Sequence, residues 1–221
     1  MKSKVFYKNC DQYTAFPEEN DVFASEFEKN SLLPFGILKV DVSGVNHDVL
    51  IAAPIADDEG RIAKRNLADT CGGTWLSYSK RGNKWALDCS PDDLLSFHIN
   101  RLPAKVSLQS KKEFFNSHHF IPNRDPRAEN GLPIFEIGGE APTTRSNWYV
   151  RLRNYIPSRL EDIPGKESSE QKFFTLVDAD GHDYVRLGVT YAGVYTNVLM
   201  PQLHYYYSPL SHKVLVIHEF Y

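Results

Sequence analysis

Short runs of β-branched and aromatic residues dominate the C-terminal part of the chain, and turn-forming residues separate them. The runs are residues 173–177, 184–191, 194–200, 203–207 and 213–221. Such residues favour a pleated sheet, and the Asp180-Gly181 pair between the first two runs accepts the positive φ angles of a tight hairpin turn. We therefore predict an antiparallel β-meander at this end. The last run is largely apolar at both alternating sets of positions, which predicts a strand covered on both faces.

A similar pattern recurs earlier in the chain. Strands are predicted at residues 4–7, 36–42, 48–54, 72–78, 85–87 and 132–137. Turn-forming residues join the second of these to the third and the fourth to the fifth, which predicts two hairpins. Residues 148–155 alternate in the same way, with Trp148, Val150 and Leu152 on one side, so we also predict a strand there.

The first helical signal lies near the start of the chain. Pro17 suits the first turn of a helix, and Glu18 and Glu19 suit the positive end of its dipole. Apolar residues follow at helical spacing, and Pro34 is expected to stop the helix.

The middle of the chain is less regular. Residues 111–119 predict a helix, whereas residues 90–102 suit either a capped helix or a strand. Prolines and charges without periodicity predict loops at 121–130 and 164–171. Together the patterns predict an α+β fold of mostly antiparallel sheet with a few short helices.

Length and charge narrow the class of protein. A chain of 221 residues suits a single domain over 1–221, or two packed halves dividing near residue 125. The net charge of −3, with no basic run longer than Lys111-Lys112, disfavours nucleic-acid binding, which needs basic groups to neutralise phosphates. No window approaches the roughly 18 consecutive apolar residues of a membrane span, and the first residues lack the apolar core of a signal peptide. We expect a cytoplasmic protein that does not bind membranes.

A family resemblance rests on four short stretches. They are Gly72-Gly73 with Trp75, residues 91–103 ending in Leu-Pro, residues 137–142, and residues 173–180. In this order, over residues 70–221, they resemble bacterial YwqG-like domains. The resemblance implies a small bacterial α+β domain, and related domains often serve as binding modules or as immunity modules against toxins.

The eight histidines are the first candidates for a metal site, although no HExxH, HxH or HxxxH spacing occurs. His118 and His119 are adjacent, so at most one of them can face a shared metal. Its partners would be Asp125, Glu136 or His182. We favour surface or capping histidines and predict no metal.

The segment from Asp178 to Asp183 is similar to a calcium loop because it holds three acids around Gly181. An EF-hand has its glycine sixth and a glutamate twelfth, whereas here the glycine is fourth and Val189 is twelfth. A hairpin turn explains the segment better, with weak cation binding by its acids as the alternative. We predict no cofactor.

The three cysteines, Cys10, Cys71 and Cys89, are widely spaced and form neither a CxxC pair nor a disulfide framework. They are expected to be reduced thiols, although the spacing alone allows a Cys71–Cys89 disulfide. Cys71 precedes a glycine pair and is a candidate nucleophile, with His98 or His119 as its base. The alternative, which we favour, is a small buried apolar residue.

Clustered aromatic residues are the candidates for contact with a protein partner. The candidate residues are Trp148, Tyr149, Arg151, Tyr205, Tyr206 and Tyr207. In a strand the middle one of three tyrosines points away from its neighbours, so at least one is expected to face solvent unless both faces are covered. Tyr, Trp and Arg supply much of the energy at the centres of interfaces. The alternative is that the aromatic residues fill the core of the sheet.

These patterns favour a non-enzymatic, cytoplasmic bacterial protein that binds another protein, such as an immunity protein that neutralises a toxin by occupying its surface. One alternative is a metal- or thiol-dependent hydrolase that uses some of His118, His119, Cys71 and Asp180. A second alternative is a viral or phage interaction or structural protein.

Overall fold

The computed structural model describes residues 3–57, 59–95, 98–123, 131–138, 142–163, 172–191 and 202–219. Its strands are β1 (Lys4–Phe6), β2 (Tyr13–Ala15), β3 (Leu32–Val42), β4 (Val45–Pro54), β5 (Trp75–Arg81), β6 (Lys84–Leu87), β7 (Phe135–Ile137), β8 (Ser158–Asp162), β9 (Lys172–Leu176), β10 (Val185–Tyr191), β11 (Gln202–Ser208) and β12 (Lys213–Glu219). Its helices are α1 (Glu19–Val22), α2 (Glu26–Ser31), α3 (His98–His118) and α4 (Asn147–Leu152). The predicted α+β class, dominated by antiparallel sheet, is confirmed.

A seven-stranded sheet forms the centre of the fold, in the order β1-β7-β10-β11-β12-β5-β6. Strands β10, β11 and β12 are consecutive antiparallel neighbours, so the predicted C-terminal meander is confirmed. Strand β12 lies between β11 and β5, and its residues from Val214 to Ile217 are completely buried. The prediction of a final strand covered on both faces is therefore confirmed.

A three-stranded sheet, β2-β3-β4, packs on one face of the large sheet. Tyr78 of β5 joins the two sheets, because its hydroxyl donates to the Leu50 carbonyl oxygen at 2.8 Å and accepts from the Ala52 amide at 3.0 Å. Helix α3 completes this layer, and its Phe115 ring packs edge-on against Phe16. The largest part of the core lies between these elements.

The opposite face of the large sheet is covered by α4 and by the two-stranded sheet β8-β9. The strand predicted at residues 148–155 is wrong, because Asn147–Leu152 is a helix. Trp148, Tyr149 and Leu152 are buried, whereas Val150 is 46% exposed. Burial at positions i, i+1 and i+4 is the pattern of a helix that packs one face on a sheet, and six residues are too few to separate it from alternation.

The helix predicted between Pro17 and Pro34 is divided into α1 and α2. It breaks at Phe23, whose backbone bridges to Trp85, because the sheet edge offers competing hydrogen bonds such as Ala24 N–H to Trp85 O at 2.9 Å. Pro34 does not end the helix but lies inside β3, next to the register shift before Gly36. A bulge is one of the places where a strand accommodates proline.

The hairpin predicted through Asp180-Gly181 is shorter than expected. A single bridge between Val177 and Asp183 closes the turn. Beyond it the strands diverge, because β9 pairs with β8 whereas β10 pairs with β7 and β11. The turn is thus correctly predicted, but its strands belong to different sheets.

Residues 90–102, which suited either a capped helix or a strand, form neither a single helix nor a strand. Ser90 and Asp93 form a capping box around a short 3-10 turn, Pro91–Asp93. Helix α3 then begins at His98 and includes the predicted helix at 111–119 except for its last residue, His119. It runs for 21 residues, longer than the short helices expected from the sequence.

The large sheet combines strands from both sides of residue 125, since β1, β5 and β6 precede that position and the other four strands follow it. The predicted loop at 121–130 is described only up to residue 123, and the loop at 164–171 and the strand at 194–200 fall outside the described residues. In the described part of the chain no helix combines the length and apolar character needed to cross a membrane.

Candidate functional site

The aromatic residues predicted to contact a partner lie inside the protein. Trp148 and Tyr149 lie on the buried face of α4, and the tyrosines of β11 are buried on both faces of that strand. None of Tyr205, Tyr206 and Tyr207 faces solvent, because both faces of β11 are covered: the three-stranded sheet covers one side, and α4 with β8-β9 covers the other. Arg151 is exposed. The aromatic residues therefore fill the core, as the alternative prediction stated.

The residues of the hydrolase hypothesis are distributed over separate parts of the fold. His118 ends α3, where its ring stacks on Phe114 at 4.0 Å between centroids. Cys71 is fully buried in the core, and Asp180 lies in the turn after β9. Of the proposed metal partners, Asp125 falls outside the described residues and Glu136 accepts a hydrogen bond from Ser3. The structure therefore does not bring His118 and Asp180 into one metal-binding group within its described part.

The acidic turn after β9 does bring possible ligands together, since atoms of Asp178, Asp180 and His182 lie within 4.8 Å of one another. Asp178 Oδ1 accepts from the amides of Asp180 at 3.1 Å and His182 at 2.8 Å. Its Oδ2 accepts from the hydroxyls of Ser208 at 2.8 Å and Ser211 at 3.0 Å. Burial raises the pKa of Asp178, but these donors outweigh it and the net shift is downward. These bonds give Asp178 a structural role, fixing the turn to the β11–β12 hairpin.

A different polar site lies at one end of the large sheet and the three-stranded sheet packed on it, where the β3–β4, β5–β6 and β11–β12 turns converge. The register of β12 on β5 pairs Lys213 with Ser79 and places the last two turns side by side. The Lys80 amide donates to the His212 carbonyl oxygen at 3.0 Å and fixes this arrangement. We call the resulting opening the hairpin cleft; its volume is about 420 Å³ and it is lined by Asn46, His47, Asp48, Lys80, Gly82, Tyr207 and His212.

Two histidines share one tyrosine in the hairpin cleft. The Tyr207 hydroxyl lies 3.1 Å from Nδ1 of His47 and 3.1 Å from Nδ1 of His212, and the two imidazole rings are 5.9 Å apart. Tyr207 is 1% exposed, and burial raises its pKa to about 12, so the hydroxyl keeps its proton at neutral pH. Its position on a central strand makes it a rigid anchor for both rings.

The single hydroxyl proton fixes the hydrogen-bonding character of the pair. Tyr207 donates to one Nδ1, so the other histidine must donate its Nδ1–H to the tyrosine oxygen. With both rings neutral, one Nε2 then carries a proton and the other is an acceptor. Within the described residues neither Nε2 of His47 or His212 has a protein partner. The cleft therefore offers one donor and one acceptor to a ligand.

The neighbourhood of the cleft is apolar at two points. Val45 is 56% exposed and Leu210 is 71% exposed, and each precedes a cleft histidine by two residues. None of the lining residues is a serine, threonine or cysteine.

Sequence reasoning missed this site because His47 and His212 are far apart in the chain and follow no ligand spacing. The available signal was their position, since each lies just beyond a predicted turn, one after Ser43-Gly44 and the other after Ser208-Pro209. That both turns occupy the same end of the fold depends on sheet packing, which the sequence pattern does not specify.

Comparisons of the chain with protein-family models, with curated proteins and with solved structures found no match. The resemblance to YwqG-like domains therefore stays a prediction.

Proposed function

We propose that this protein is a non-enzymatic binding protein of the bacterial cytoplasm, that its partner is another protein and not a nucleic acid, and that the contact is made by the hairpin cleft. The shared Tyr207 hydroxyl, with its paired donor and acceptor on His47 and His212, is the observation that carries this proposal.

The chemistry of the cleft matches the backbone of an exposed loop. Each peptide unit of a partner offers one N–H donor and one C=O acceptor. The protonated Nε2 of one cleft histidine suits the carbonyl oxygen, and the unprotonated Nε2 of the other suits the amide. The two roles exchange when a proton passes through Tyr207 from one Nδ1 to the other, while solvent takes the Nε2 proton of the receiving ring and supplies a proton to Nε2 of the donating ring. The pair therefore accommodates either orientation of the loop.

The aliphatic side chains beside the cleft supply the apolar part of the contact. Val45 and Leu210 are large exposed apolar residues on adjacent hairpin turns, and burying them against a partner removes apolar surface from water. Lys80 and Asp48 line the same cleft and supply one cationic and one anionic group for charged side chains of the partner. This combination of apolar and polar contacts is typical of protein interfaces. It fits an immunity protein that occupies the surface of a toxin.

Affinity capture from a lysate of the native host tests the proposal. The intact chain serves as bait beside Leu210→Asp and His212→Ala variants, and Leu102→Asp is the matched control, because Leu102 is 69% exposed on α3, away from the cleft. We expect one protein to be captured by the intact chain and by the control, and its yield to fall about tenfold or more with each cleft variant, a loss of roughly 1.4 kcal/mol.

Two outcomes would contradict the proposal. Equal capture of the partner by all four baits would remove the contact from the cleft. Turnover of a panel of ester, phosphate or peptide substrates that is lost on replacing a histidine or cysteine would establish an enzyme instead.

A further inference from the structure

The two buried cysteines of this protein are neighbours. Cys71 is 0% exposed and Cys89 is 9% exposed, whereas Cys10 lies at the surface. Strand β5 changes its partner at Ser77. The Ser77 carbonyl oxygen accepts a hydrogen bond from the Asp88 amide at 3.2 Å, and the Ser77 amide donates one to the Thr70 carbonyl oxygen at 2.8 Å. Residues 70 and 88 therefore meet at one point of β5.

The next residue of each segment is a cysteine. Cys71 continues along β5 and pairs with Leu76, while Cys89 is the residue after Asp88. Both side chains belong to the core cluster between the large sheet and the three-stranded sheet, together with Leu76 and Tyr78. The backbone thus directs the two sulfur atoms into the same space.

The two thiols have different acidities. The interaction between the two side chains lowers the pKa of the Cys71 thiol and raises that of the Cys89 thiol. The guanidinium of Arg65 adds to the lowering at Cys71, while burial and the carboxylate of Asp93 oppose it. Since the thiolate is the nucleophile, Cys71 is the thiol that reacts first and Cys89 is its resolving partner.

We propose that Cys71 and Cys89 are a redox pair that forms a reversible disulfide on reaction with a peroxide. The Cys71 thiolate attacks one peroxide oxygen, the O–O bond breaks, and the departing oxygen leaves as water after taking up a proton. Cys71 is then a sulfenic acid. The Cys89 sulfur attacks Sγ of Cys71, the S–O bond breaks, and a second water leaves with the Cys89 proton. Two thiols are oxidised, hydrogen peroxide is reduced to two water molecules, and a small dithiol reverses the change.

Burial determines which oxidant can act. Hydrogen peroxide is close to water in size and therefore needs a smaller local opening to reach these buried thiols than a bulky disulfide does. The pair lies near Leu76, at the other end of β5 from Lys80 and the hairpin cleft. Oxidation is therefore independent of the proposed partner contact, and the two proposals are tested separately.

The experiment uses the full chain carrying Cys10→Ser, which removes the exposed thiol. After treatment with hydrogen peroxide and denaturation, we expect two free thiols per chain to fall to none and the mass to fall by two hydrogen atoms. A digest without reductant should yield a peptide pair linked through Cys71 and Cys89, and dithiothreitol should restore both thiols. Persistence of both thiols, or addition of oxygen without a cross-link, would overturn the proposal.

Two further variants separate the roles of the thiols. With Cys89→Ala, the Cys71 sulfur should gain oxygen and form no internal cross-link; with Cys71→Ala, Cys89 should react at least about tenfold more slowly than Cys71 does in the other variant. Equal rates would overturn the assignment of Cys71 as the first nucleophile. The thiol count and the linked peptide of the Cys10→Ser chain decide the disulfide itself even if either variant fails to fold.

Discussion

At the scale of single residues, the Tyr78 hydroxyl supplies hydrogen bonds to backbone groups of a buried strand edge. Strand β4 is an edge strand of the three-stranded sheet, yet its edge is buried against the large sheet. The Tyr78 hydroxyl pairs with the Leu50 carbonyl and the Ala52 amide on that edge. Burial raises the pKa of Tyr78 well above its usual value, so the phenol remains a donor at any ordinary pH.

Replacing Tyr78 with phenylalanine should leave both backbone groups buried without a partner. Because each orphaned group costs about 1–3 kcal/mol, we expect Tyr78→Phe to lower the free energy of unfolding by about 2–4 kcal/mol, measured by urea titration. Tyr155→Phe is the matched control, since Tyr155 is 42% exposed, and it should change stability by less than about 0.5 kcal/mol. A similar small change for both variants would show that the sheets do not depend on this hydroxyl.

At the scale of elements, the pairing of β7 with β10 depends on the absence of a side chain at Gly188. A bulge follows Arg186 in β10, and Gly188 then faces Ile137. Its φ angle is 156°, and a Cβ placed there would lie 1.9 Å from the carbonyl oxygen of Glu136. Glycine is therefore required for β7, and through it β1, to join the large sheet.

Gly188→Ala should separate β7 from β10, because the added carbon collides with backbone that cannot rotate away. We expect a loss of about 2–4 kcal/mol in the free energy of unfolding and faster hydrogen exchange of the amides in β1 and β7. Gly73→Ala is the control, since a Cβ at that position meets nothing within 4 Å. Equal stability of the two variants would contradict this account of the pairing.

At the scale of the whole molecule, the burial of His218 makes the stability of the fold depend on pH. His218 lies in β12 with 1% of its surface exposed, and burial lowers its pKa to about 4, partly offset by the effect of the Gly60 backbone. The folded protein thus keeps this imidazole neutral where the unfolded chain, with an ordinary histidine pKa of about 6.5, takes up a proton. The contribution is complete above about pH 6.5 and is lost as pH falls towards 4.

Between pH 6.5 and 4 the free energy of unfolding should therefore fall by about 3 kcal/mol because of His218 alone. Urea titrations across this range should show the fall in the intact protein and a much flatter profile in His218→Leu. His118→Ala, a change at an exposed position, should keep the profile of the intact protein. Asp93 and Asp178, whose pKa values are lowered, add their own loss of stability only at still lower pH. An unchanged profile in His218→Leu would contradict the assignment.

The elements predicted best from the sequence are those for which the local residue pattern and the tertiary contacts favour the same secondary structure. Strand β12 begins at its predicted first residue, and the β3–β4 hairpin lies where it was predicted, although β3 begins four residues and β4 three residues earlier than expected. The segment at 148–155 fits a strand or a helix equally well, and only its contact with the large sheet selects the helix. The helix after Pro17 breaks where Phe23 forms a bridge with Trp85 and the Ala24 amide donates to the Trp85 carbonyl oxygen, a group far along the chain.

The sequence by itself determined the α+β class, the C-terminal meander and the main hairpins, because these depend on local turn chemistry and on the two-residue period of strands. Tertiary structure decided that the tyrosines of β11 are covered on both sides, that Cys71 lies beside Cys89, and that His47 and His212 share Tyr207. These are contacts between residues distant in the chain. They follow from the order and register of strands in two packed sheets, which no local pattern of residues encodes.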